Sequence, residues 1–545
     1  QEVAEREMGR VLSDAKSRVD VEASAGRVPS ALSALPGPIP AGRDSVRIAI
    51  VATNDFHGAL EPMTPSWAGG DTIGGAANLA AYVRAVEARY PGATLWLDGG
   101  DVMQGTLISN LTRGRSTVDV LDGAGLDAAA IGNHEFDWTV DTLKARIDQA
   151  TFPWLSANVF EKATGKRPDW VEPYAWLEAG GLKVGVIGVS TVHTPQTTMP
   201  DHVEPYAFPD PAPIVSDLAR ELRAEGADLI AVVAHAGAIA TDEGDSTYAG
   251  EIVDVARRLD GPVDVIVSGH THTHVSGVVN GIPIVQARSS GTAIGVVTLT
   301  WDRSAERVVD SSIDVWTVRA REVDPVEPVA AKVTGYAADV AEIANRPIAT
   351  LETTLRRNRG EEYALGDLIA DAMRTQTGAQ VAVMNAGGIR APLRAGPITF
   401  DDVFRVQPFQ NLLIEAELTG EQLRLLLEGA VEDRLGQVSG VRFSFDPTRP
   451  FGQRVVDATL EEGDVAVVRD GVAVDPDATH TVVVNNYMAS GGDEYAVLQD
   501  ALSTTNTGLV DSEVLAHYLS DLPQPIRYEN AGRVTRLAPW PPREE

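Results

Sequence analysis

The sequence predicts an α/β protein of two or more domains, and three observations support this. At 545 residues the chain is too long for a single hydrophobic core. From residue 46 onward, short apolar runs typical of buried strands alternate with amphipathic helical segments. Hydrophobic residues make up 44% of the chain and charged residues 22%, as in ordinary globular proteins. Continuous apolar strands of this kind indicate sheets covered on both faces.

The strand and helix signals alternate in a regular order through the N-terminal half of the chain. The run VRIAIVATN predicts a buried strand, and the next segment predicts a helix with Leu79, Val83 and Val86 on one face. The later predicted elements are, in order, the strand ATLWLD, the helix STVDVLDGAG, the strand DAAAIG, the helix TVDTLKARIDQA, the strand LKVGVIGVS, the helix PAPIVSDLARELRAEG, the strand DLIAVVA, the helix GEIVDVARRL and the strands VDVIVSG, IPIVQA and AIGVVTLTW.

A change in composition separates this region from the rest of the chain. The segment VDPVEPVAAKVTGYAADVAEIANRP is Ala-rich, charged and bounded by prolines, which predicts a helical connector. At the other end, a charged stretch within residues 2–18 predicts a surface helix and is followed by a Pro/Ala/Ser linker. We therefore expect an N-terminal extension at 1–44, a first domain at 45–318, the connector at 319–346, a second mixed α/β domain at 347–540 and a tail at 541–545.

Charge and cysteine content exclude several functions. The formal net charge is −32, which argues against a nucleic acid polymer as partner because a polyanion would be repelled. The chain has no cysteine, so disulfides, thiolate metal sites and thiol catalysis are excluded. Any metal must be held by nitrogen and oxygen ligands, which suit borderline to hard divalent ions. No run is long and apolar enough to predict a transmembrane segment.

Polar clusters follow the predicted strands, where open α/β sheets place their sites. The clusters are TNDFHG, DGGD, GNHEFD, VVAHAG and VSGHTHTH. Six of the ten histidines of the chain lie in them. Histidines scattered at random would not collect at successive strand ends, so we expect these groups to act together.

The spacing within the clusters suits metal binding. In an extended chain alternate residues point to the same side, so Asp55 and His57 are expected to hold one ion together, and His270 and His272 likewise. Asp101 is a candidate bridge between two ions. Two divalent cations about 3.5–4 Å apart are a standard device for displacement at phosphorus. They would also supply the positive charge that this acidic chain otherwise lacks.

The cluster GNHEFD combines a ligand with a proton-transfer group. Asn133 can ligate a metal through its amide oxygen, and His134 then points toward the substrate. There its imidazole can stabilise phosphoryl charge or protonate the leaving oxygen. Asp137 can hold the other imidazole nitrogen and set the tautomer. We expect Glu135 to contact the metal ligands rather than to bind a metal itself.

These motifs, in this order, resemble the calcineurin-like metallophosphoesterase superfamily. Farther along, NAGGIR (385–390), QPFQN (407–411) and NNYMASGGDEY (485–495) resemble the C-terminal domain of the 5′-nucleotidase family, which includes the bacterial UDP-sugar hydrolases. The resemblance covers residues 46–540. It implies a four-layer α/β/β/α metallophosphoesterase sandwich as catalytic domain, a helical connector and a mixed α/β substrate-binding domain.

The resemblance also implies roles for individual residues and a metal cofactor. His134 and Asp137 match the family's catalytic dyad. Two divalent ions, Mn, Zn or Co, are expected from the nitrogen and oxygen ligands. The first would be held by Asp55, His57, Asp101 and His272, and the second by Asp101, Asn133, His235 and His270.

The second domain carries the residues that match the family's substrate-binding positions. Arg359 and Arg390 match its phosphate-binding arginines, and Arg356 is the candidate replacement for a third arginine, whose position holds Leu355 here. An aromatic pair is expected to stack on the base. The remaining matches are Asn385 and Gly388 in the same motif as Arg390, Phe409 and Tyr487 as the stacking pair, Asn411 at the base and Asp493 at the ribose hydroxyls.

Together these features predict a metal-dependent phosphohydrolase that releases phosphate from nucleoside 5′-phosphates, and from nucleoside di- and triphosphates or UDP-sugars. A 2′,3′-cyclic nucleotide phosphodiesterase on the same scaffold is the alternative, and a non-catalytic nucleotide-binding surface protein is a third hypothesis. The intact GNHEFD speaks against the related sulfur-oxidising thiosulfohydrolases. The resemblance further implies domain rotation about the connector. The location that the resemblance implies, together with Gln1 in place of an initiator Met, leads us to expect that the protein is extracytoplasmic.

Overall fold

The computed structural model describes residues 27–40, 42–240, 247–358, 360–432 and 434–541. The helix expected within residues 2–18, the candidate phosphate ligand Arg359 and most of the predicted tail lie outside the described residues. The chain divides into two compact units. The first runs to Ala338, and the second begins at Asp339 and also includes Gly105–Leu107 and Pro195–Asp201.

Two six-stranded sheets form the described part of the first unit, with strand orders β16-β15-β1-β2-β3-β4 and β13-β14-β12-β9-β7-β6. The pairs β5/β8 and β10/β11 form small separate ribbons. The strands are β1 (Ser45–Thr53), β2 (Thr94–Asp98), β3 (Ala128–Ala130), β4 (Trp154–Leu155), β5 (Phe160–Glu161), β6 (Tyr174–Ala179), β7 (Leu182–Ser190), β8 (Tyr206–Ala207), β9 (Leu229–His235), β10 (Ile239–Ala240), β11 (Tyr248–Ala249), β12 (Val265–Ser268), β13 (His274–Val279), β14 (Ile282–Ala287), β15 (Ala293–Asp302) and β16 (Arg307–Thr317).

Helices cover the outer face of each sheet. α1 packs on β1 and β2, while α7 packs on β7 and β9, and α8 packs on β13. The inner faces of the two sheets pack on each other, so the unit is a four-layer α/β/β/α sandwich, as predicted. The helices of the described chain up to Ala344 are α1 (Ala76–Arg89), α2 (Leu107–Leu111), α3 (Arg115–Ala124), α4 (Val140–Gln149), α5 (Thr194–Thr197), α6 (Pro200–Val203), α7 (Pro211–Ala224), α8 (Glu251–Arg258) and α9 (Glu327–Ala344). Most of α5, the first half of α6 and the end of α9 belong to the second unit.

Parallel pairing sets where the polar clusters emerge. In the first sheet β1, β2 and β3 run parallel, and in the second sheet β7, β9 and β12 run parallel. The strands are buried over nearly their whole length, since apolar side chains face a helix layer on one side and the other sheet on the other side. Leu79, Val83 and Val86 of α1 are fully buried, as their spacing predicts.

The second unit contains two five-stranded sheets, ordered β21-β18-β26-β20-β27 and β25-β24-β23-β22-β28, and the ribbon β17/β19. Its strands are β17 (Pro347–Leu351), β18 (Val381–Met384), β19 (Gly396–Thr399), β20 (Leu412–Thr419), β21 (Gln437–Ser439), β22 (Val441–Phe445), β23 (Val455–Leu460), β24 (Val465–Arg469), β25 (Val472–Ala473), β26 (Thr479–Asn485), β27 (Ser503–Val510) and β28 (Val534–Arg536). Its helices are α10 (Ala364–Thr377), α11 (Phe400–Val406), α12 (Gly420–Gly429), α13 (Asn486–Ala489) and α14 (Asp511–Asp521).

Local sequence signals explain several of these elements. α11 and α12 each begin with a capping box, in which Thr399 pairs with Asp402 and Thr419 with Gln422. The Ala-rich segment predicted to be a helical connector contains α9, and the boundary between the two units falls inside this helix. Among the described residues, none of the helices has the length and apolar character needed to cross a bilayer.

One glycine marks a tight contact between the two sheets of the first unit. The backbone of Gly188 in β7 accepts a hydrogen bond from Ala157 N–H at 2.8 Å. A Cβ atom at Gly188 would lie 2.2 Å from the carbonyl carbon of Leu155. The sequence GVIGVS contains this glycine because the facing backbone leaves no room for a side chain.

Replacing Gly188 with Ala is therefore expected to destabilise the first unit by about 1–3 kcal/mol, because the backbone on both sides must move. Urea unfolding followed by tryptophan fluorescence measures the change in transition midpoint. The matched control is Gly335→Ala in α9, where nothing lies within 4 Å of the added Cβ. That control is expected to be neutral or slightly stabilising. Equal midpoints for the two variants would contradict the assigned packing.

Candidate metal centre and substrate-binding residues

The loops that follow β1 and β2 are joined to each other by backbone hydrogen bonds. Asp55 N–H donates to the carbonyl of Gly100 at 2.8 Å, and His57 N–H donates to that of Asp101 at 3.0 Å. From the other side, Ser290 N–H donates to the carbonyl of Asp55 at 2.7 Å. The candidate ligands on these loops are thus positioned by main-chain contacts.

Five of the candidate ligands have a left-handed backbone, which is uncommon for residues other than glycine. They are Asp55 (φ 48°), His57 (φ 51°), Asp101 (φ 56°), His270 (φ 80°) and His272 (φ 58°). The prediction that an extended backbone places Asp55 and His57 on the same side is wrong, because neither residue is extended. The two side chains do lie together, but turns bring them there. Each such residue costs on the order of 1–2 kcal/mol, which the surrounding contacts must offset.

The first group of candidate ligands consists of Asp55, His57 and His272. The two imidazole Nε2 atoms are 3.0 Å apart, and His272 Nε2 is 3.3 Å from Asp55 Oδ1. The ligand atoms of the three residues lie within 4.8 Å of one another. His57 Nδ1 donates to the carbonyl of Gln104 at 2.7 Å, which leaves the lone pair of Nε2 facing the group.

The second group consists of Asp101, His235 and His270, with Asn133 beside them. His235 Nε2 is 3.0 Å from Asp101 Oδ2, 3.1 Å from Asn133 Oδ1 and 3.2 Å from His270 Nδ1. His235 Nδ1 donates to the carbonyl of Gly99 at 2.9 Å, so Nε2 is the ring nitrogen that faces the group.

His270 and His272 therefore belong to different groups, although their spacing suggested that they hold one ion together. His270 N–H donates to both carboxylate oxygens of Asp55, at 3.0 and 2.9 Å, while its ring lies with His235. The strand β13 starts only at His274, so the residues before it are not extended and alternation does not apply.

The two groups fit divalent cations by the chemistry of their donors. In each, carboxylate oxygens and imidazole nitrogens face one another at about 3 Å. The pKa values reflect this crowding: burial lowers the pKa of His235, but Asp101 outweighs burial and raises it to about 10. Burial and His235 lower the pKa of His270 to about 3. Asp, His and Asn donors of this kind suit Mn, Zn or Co.

Asp101 interacts with both groups. Burial raises the pKa of its carboxyl, but His235, His134 and His57 outweigh burial and hold the pKa well below its usual range. The carboxylate also accepts the backbone N–H of His134 at 2.9 Å through Oδ1. Its neighbour Gly132 cannot carry a side chain, because a Cβ there would lie 2.2 Å from Asp101 Oδ1. Asp101 therefore belongs to the second group and also interacts electrostatically with His57 of the first.

His134 and Asp137 form a hydrogen-bonded pair beside these groups. His134 Nδ1 lies 2.7 Å from Asp137 Oδ2, and both side chains are largely but not fully buried. The ring of His134 packs edge-on against that of His57, with centroids 5.5 Å apart. With Nδ1–H donated to the carboxylate, Nε2 is the atom left for other partners; it lies 3.9 Å from Asp101 Oδ2.

Glu135 has a larger part in the site than the sequence indicated. Its fully buried carboxylate accepts backbone N–H groups from Gly132 at 2.7 Å, Val102 at 2.8 Å and Asp101 at 3.0 Å, with a longer bond of 3.3 Å from Met103. Burial and Asp101 raise the pKa of Glu135 to about 8. Its position inside the motif GNHE was the only signal available, since the donors come mainly from a separate loop.

In the second unit, three candidate substrate-binding side chains form one network. Asn385 Nδ2 donates to Asp493 Oδ2 at 2.6 Å, and Asn485 Nδ2 donates to Asn385 Oδ1 at 2.9 Å. The hydroxyl of Tyr487 donates to Asp493 Oδ1 at 3.0 Å. Gly492 packs under the Tyr487 ring, where a Cβ would come within 2.4 Å of it. The tyrosine ring is therefore held in place by hydrogen bonding and close packing.

The other candidates of this unit have varied surroundings. The guanidinium of Arg390 lies 5.6 Å from the centroid of the half-buried Phe409 ring. Gly388 is buried against Met384. Asn411 is buried, and its carbonyl accepts Asp511 N–H at 2.9 Å. Among the described candidates, no hydrogen bond, ion pair or ring contact joins Arg356 to another. Its side chain is exposed, while the adjacent Leu355 belongs to the core.

Sequence and structure comparisons agree with this architecture. The calcineurin-like phosphoesterase family matches residues 48–274, and the 5′-nucleotidase C-terminal domain matches residues 339–500. The 5′-nucleotidase of Vibrio vulnificus (strain CMCP6) is 30% identical over 515 residues, which cover 87% of this chain and 90% of the relative. The crystal structure of a 5′-nucleotidase precursor from Thermus thermophilus superposes with a TM-score of 0.79 at 32% identity, covering 90% of this chain and 99% of that chain.

A further relative is longer than this chain. Endonuclease YhcR of Bacillus subtilis (strain 168) is 30% identical over 518 residues, which cover 91% of this chain, but the chain spans only 41% of that relative's length. The layered fold and the paired ligand groups define a hydrolase of the metallophosphoesterase class. The chain belongs to the 5′-nucleotidase family, which confirms the resemblance found in its motifs.

Replacing Glu135 with Gln is expected to weaken Mn²⁺ binding about 10- to 100-fold, because an amide NH₂ would face N–H groups that now meet a carboxylate. Isothermal titration calorimetry measures the affinity directly. Glu178→Gln, on the exposed face of β6, makes the same chemical change away from the site and should bind Mn²⁺ like the unmodified protein. Wild-type affinity in the Glu135 variant would show that the carboxylate does not hold the ligand loops.

Proposed function

We propose that this protein is a metal-dependent 5′-nucleotidase that releases inorganic phosphate from nucleoside 5′-phosphates. The observation that carries the proposal is the pair of ligand groups, Asp55 with His57 and His272, and Asp101 with His235 and His270, beside an imidazole held by a carboxylate. Family membership supplies the class of reaction.

Seven side chains would hold the two cations. Asp55, His57 and His272 would bind the first ion, Asn133, His235 and His270 the second, and Asp101 both. Two divalent cations bound there would polarise the phosphoryl oxygens and make a nucleophile of water near neutral pH. The protein contributes fixed ligand positions, since carbonyls on Gln104 and Gly99 set the tautomers of His57 and His235.

His134 would act on the substrate itself. Its Nδ1–H is directed to Asp137, so Nε2 is the atom that would meet a phosphoryl or leaving-group oxygen. When protonated, Nε2 donates a hydrogen bond to the charge that develops on that oxygen and can pass it the proton as the ester bond breaks. Asp137 would keep the ring oriented and stabilise its cationic form, as carboxylates do for catalytic imidazoles.

The second unit would bind the nucleoside and assist at the phosphate. Arg390, with Arg359 and Arg356, would contact phosphate oxygens, for which the planar guanidinium is suited. Phe409 and Tyr487 would stack on the base. The remaining proposed contacts are Asn411 to the base, Asp493 to the ribose hydroxyls and the motif residues Asn385 and Gly388. The hydrogen bonds between Tyr487, Asp493 and Asn385 support a preformed site.

The proposed substrate range extends to nucleoside di- and triphosphates and UDP-sugars, and the proposed location is extracytoplasmic. Support for the location comes from relatives such as the cell wall protein Lmo0130 of Listeria monocytogenes serovar 1/2a, 28% identical over 544 residues, which cover 88% of this chain and 68% of that protein.

The direct test is colorimetric phosphate release from AMP by Mn²⁺-loaded protein, with and without EDTA, in a panel that includes 2′,3′-cyclic nucleotides. We expect release from AMP, loss of release with EDTA and its return with Mn²⁺. His134→Ala should lower kcat about 10²- to 10⁴-fold while the protein still binds two Mn²⁺. His517→Ala, at an exposed histidine of α14, is the control. Metal-loaded protein inert toward AMP, or a fully active His134 variant, would refute the proposal.

Stacking on the base predicts a selective effect at Phe409. Phe409→Ala should raise the KM for AMP about 10- to 100-fold, since base stacking contributes about 1–3 kcal/mol. Hydrolysis of glycerol phosphate, which has no aromatic ring, should keep its kcat/KM. Phe451→Ala removes a half-exposed ring of the same unit and should leave both substrates unaffected. If the Phe409 variant lost both activities equally, its role would be structural.

A further inference from the structure

An arginine and a tryptophan lie stacked beside the candidate metal loops, and none of the roles above uses them. The guanidinium carbon of Arg288 is 5.4 Å from the centroid of the Trp67 ring. Trp67 is 56% exposed, although tryptophan is usually well covered. Arg288 is also exposed, and within the described part of the chain it forms no ion pair with a carboxylate.

The backbone of Arg288 is fixed against both ligand loops. Its N–H donates to the carbonyl of Thr273, next to His272, at 2.9 Å. Its own carbonyl accepts from Asn54 Nδ2 at 2.6 Å, and the same amide donates to Asp55 Oδ2. Arg288 has a left-handed backbone, φ 58°, as the ligands do. The main chain of Arg288 is therefore held beside the loops that carry the candidate ligands, and its side chain takes no part in these contacts.

Trp67 is carried by the loop that follows the first ligands. An isolated bridge between Met63 and Ile73 closes the base of this loop, and Met63 N–H donates to the carbonyl of Ile73 at 2.9 Å. Next to it, Gly74 packs so closely on the loop after Arg288 that a Cβ would lie 3.3 Å from the carbonyl of Ser290. The tryptophan thus reaches Arg288 from a second loop anchored at the same site.

The contact suits an anionic ligand. The guanidinium lies over the indole ring at a distance typical of a cation–π interaction, and guanidinium N–H groups are suited to phosphate oxygens. In a chain of net charge −32, an exposed cation beside the candidate metal loops that has no carboxylate partner among the described residues is suited to attract an anion.

We propose that Arg288, held on Trp67, binds a second phosphoryl group of the substrate, one linked to the phosphate that reacts. The inference rests on the proposed function and refines it: it makes substrates with a phosphoanhydride a class that the first unit recognises through its own residues. Nucleoside monophosphates have no group to place there and do not depend on it.

The test compares Arg288→Gln with the unmodified protein on AMP and ADP, and measures binding of a non-hydrolysable methylene-bridged ADP analogue by calorimetry with Mn²⁺ present. We expect kcat/KM for ADP and affinity for the analogue to fall about tenfold or more, as for loss of a charge-assisted hydrogen bond. The kcat/KM for AMP should stay within about twofold of that of the unmodified protein. Trp67→Ala should show the same selectivity to a smaller extent.

Arg307→Gln is the matched control, since Arg307 is exposed at the far end of β16 in the same unit. This variant should leave kcat/KM unchanged for both ADP and AMP. An unchanged ratio of ADP to AMP turnover in the Arg288 variant, whether both fall or neither does, would overturn the proposal. Failure of the unmodified protein to hydrolyse AMP would instead refute the proposed function. Calorimetry of the ADP analogue would still test whether Arg288 contributes to its binding.

Discussion

The structure of the first unit depends on one constraint: electron-pair donors from several strand-end loops must face one another at about 3 Å. Arranging them is costly, because carboxylates are buried and five of the residues have a left-handed backbone. Hydrogen bonds between the loops offset this cost. Main-chain hydrogen bonds join the loops of Asp55 and Asp101, and the carboxylate of Glu135 gathers backbone N–H groups from two loops. The same donors then have little freedom to rearrange, which suits the narrow geometric demands of divalent cations.

The two units carry different kinds of candidate functional side chains. The first supplies the ligand groups and the His134–Asp137 pair, all fixed by backbone contacts at the ends of buried strands. The second supplies aromatic, amide and arginine side chains, of which Tyr487, Asp493 and Asn385 form a continuous hydrogen-bonded network. For the proposed phosphate ester substrate, a strongly acidic protein needs compensating positive charge, which would be local, in the proposed cations and a few arginines.

Much of this was accessible from the sequence, for identifiable reasons. Helical periodicity predicted α1, whose Leu79 and Val83 are buried, and the histidines after successive strands pointed to side chains that the structure gathers into two groups. Information about loop conformation was lacking. Spacing alone put His270 and His272 on one ion, whereas left-handed turns send them to different groups. The sequence placed Glu135 near the ligands but did not indicate its backbone partners, and it gave no role to Arg288. The partners of both residues come mainly from loops distant in sequence, and a local pattern cannot report such contacts.

We propose that the two ligand groups hold two cations. Anomalous diffraction from crystals of the full chain saturated with Mn²⁺ would locate these ions. We expect two peaks about 3.5–4 Å apart, one bounded by Asp55, His57 and His272 and the other by Asp101, His235 and His270. Absence of anomalous density at these residues, or a single ion bound elsewhere, would contradict it.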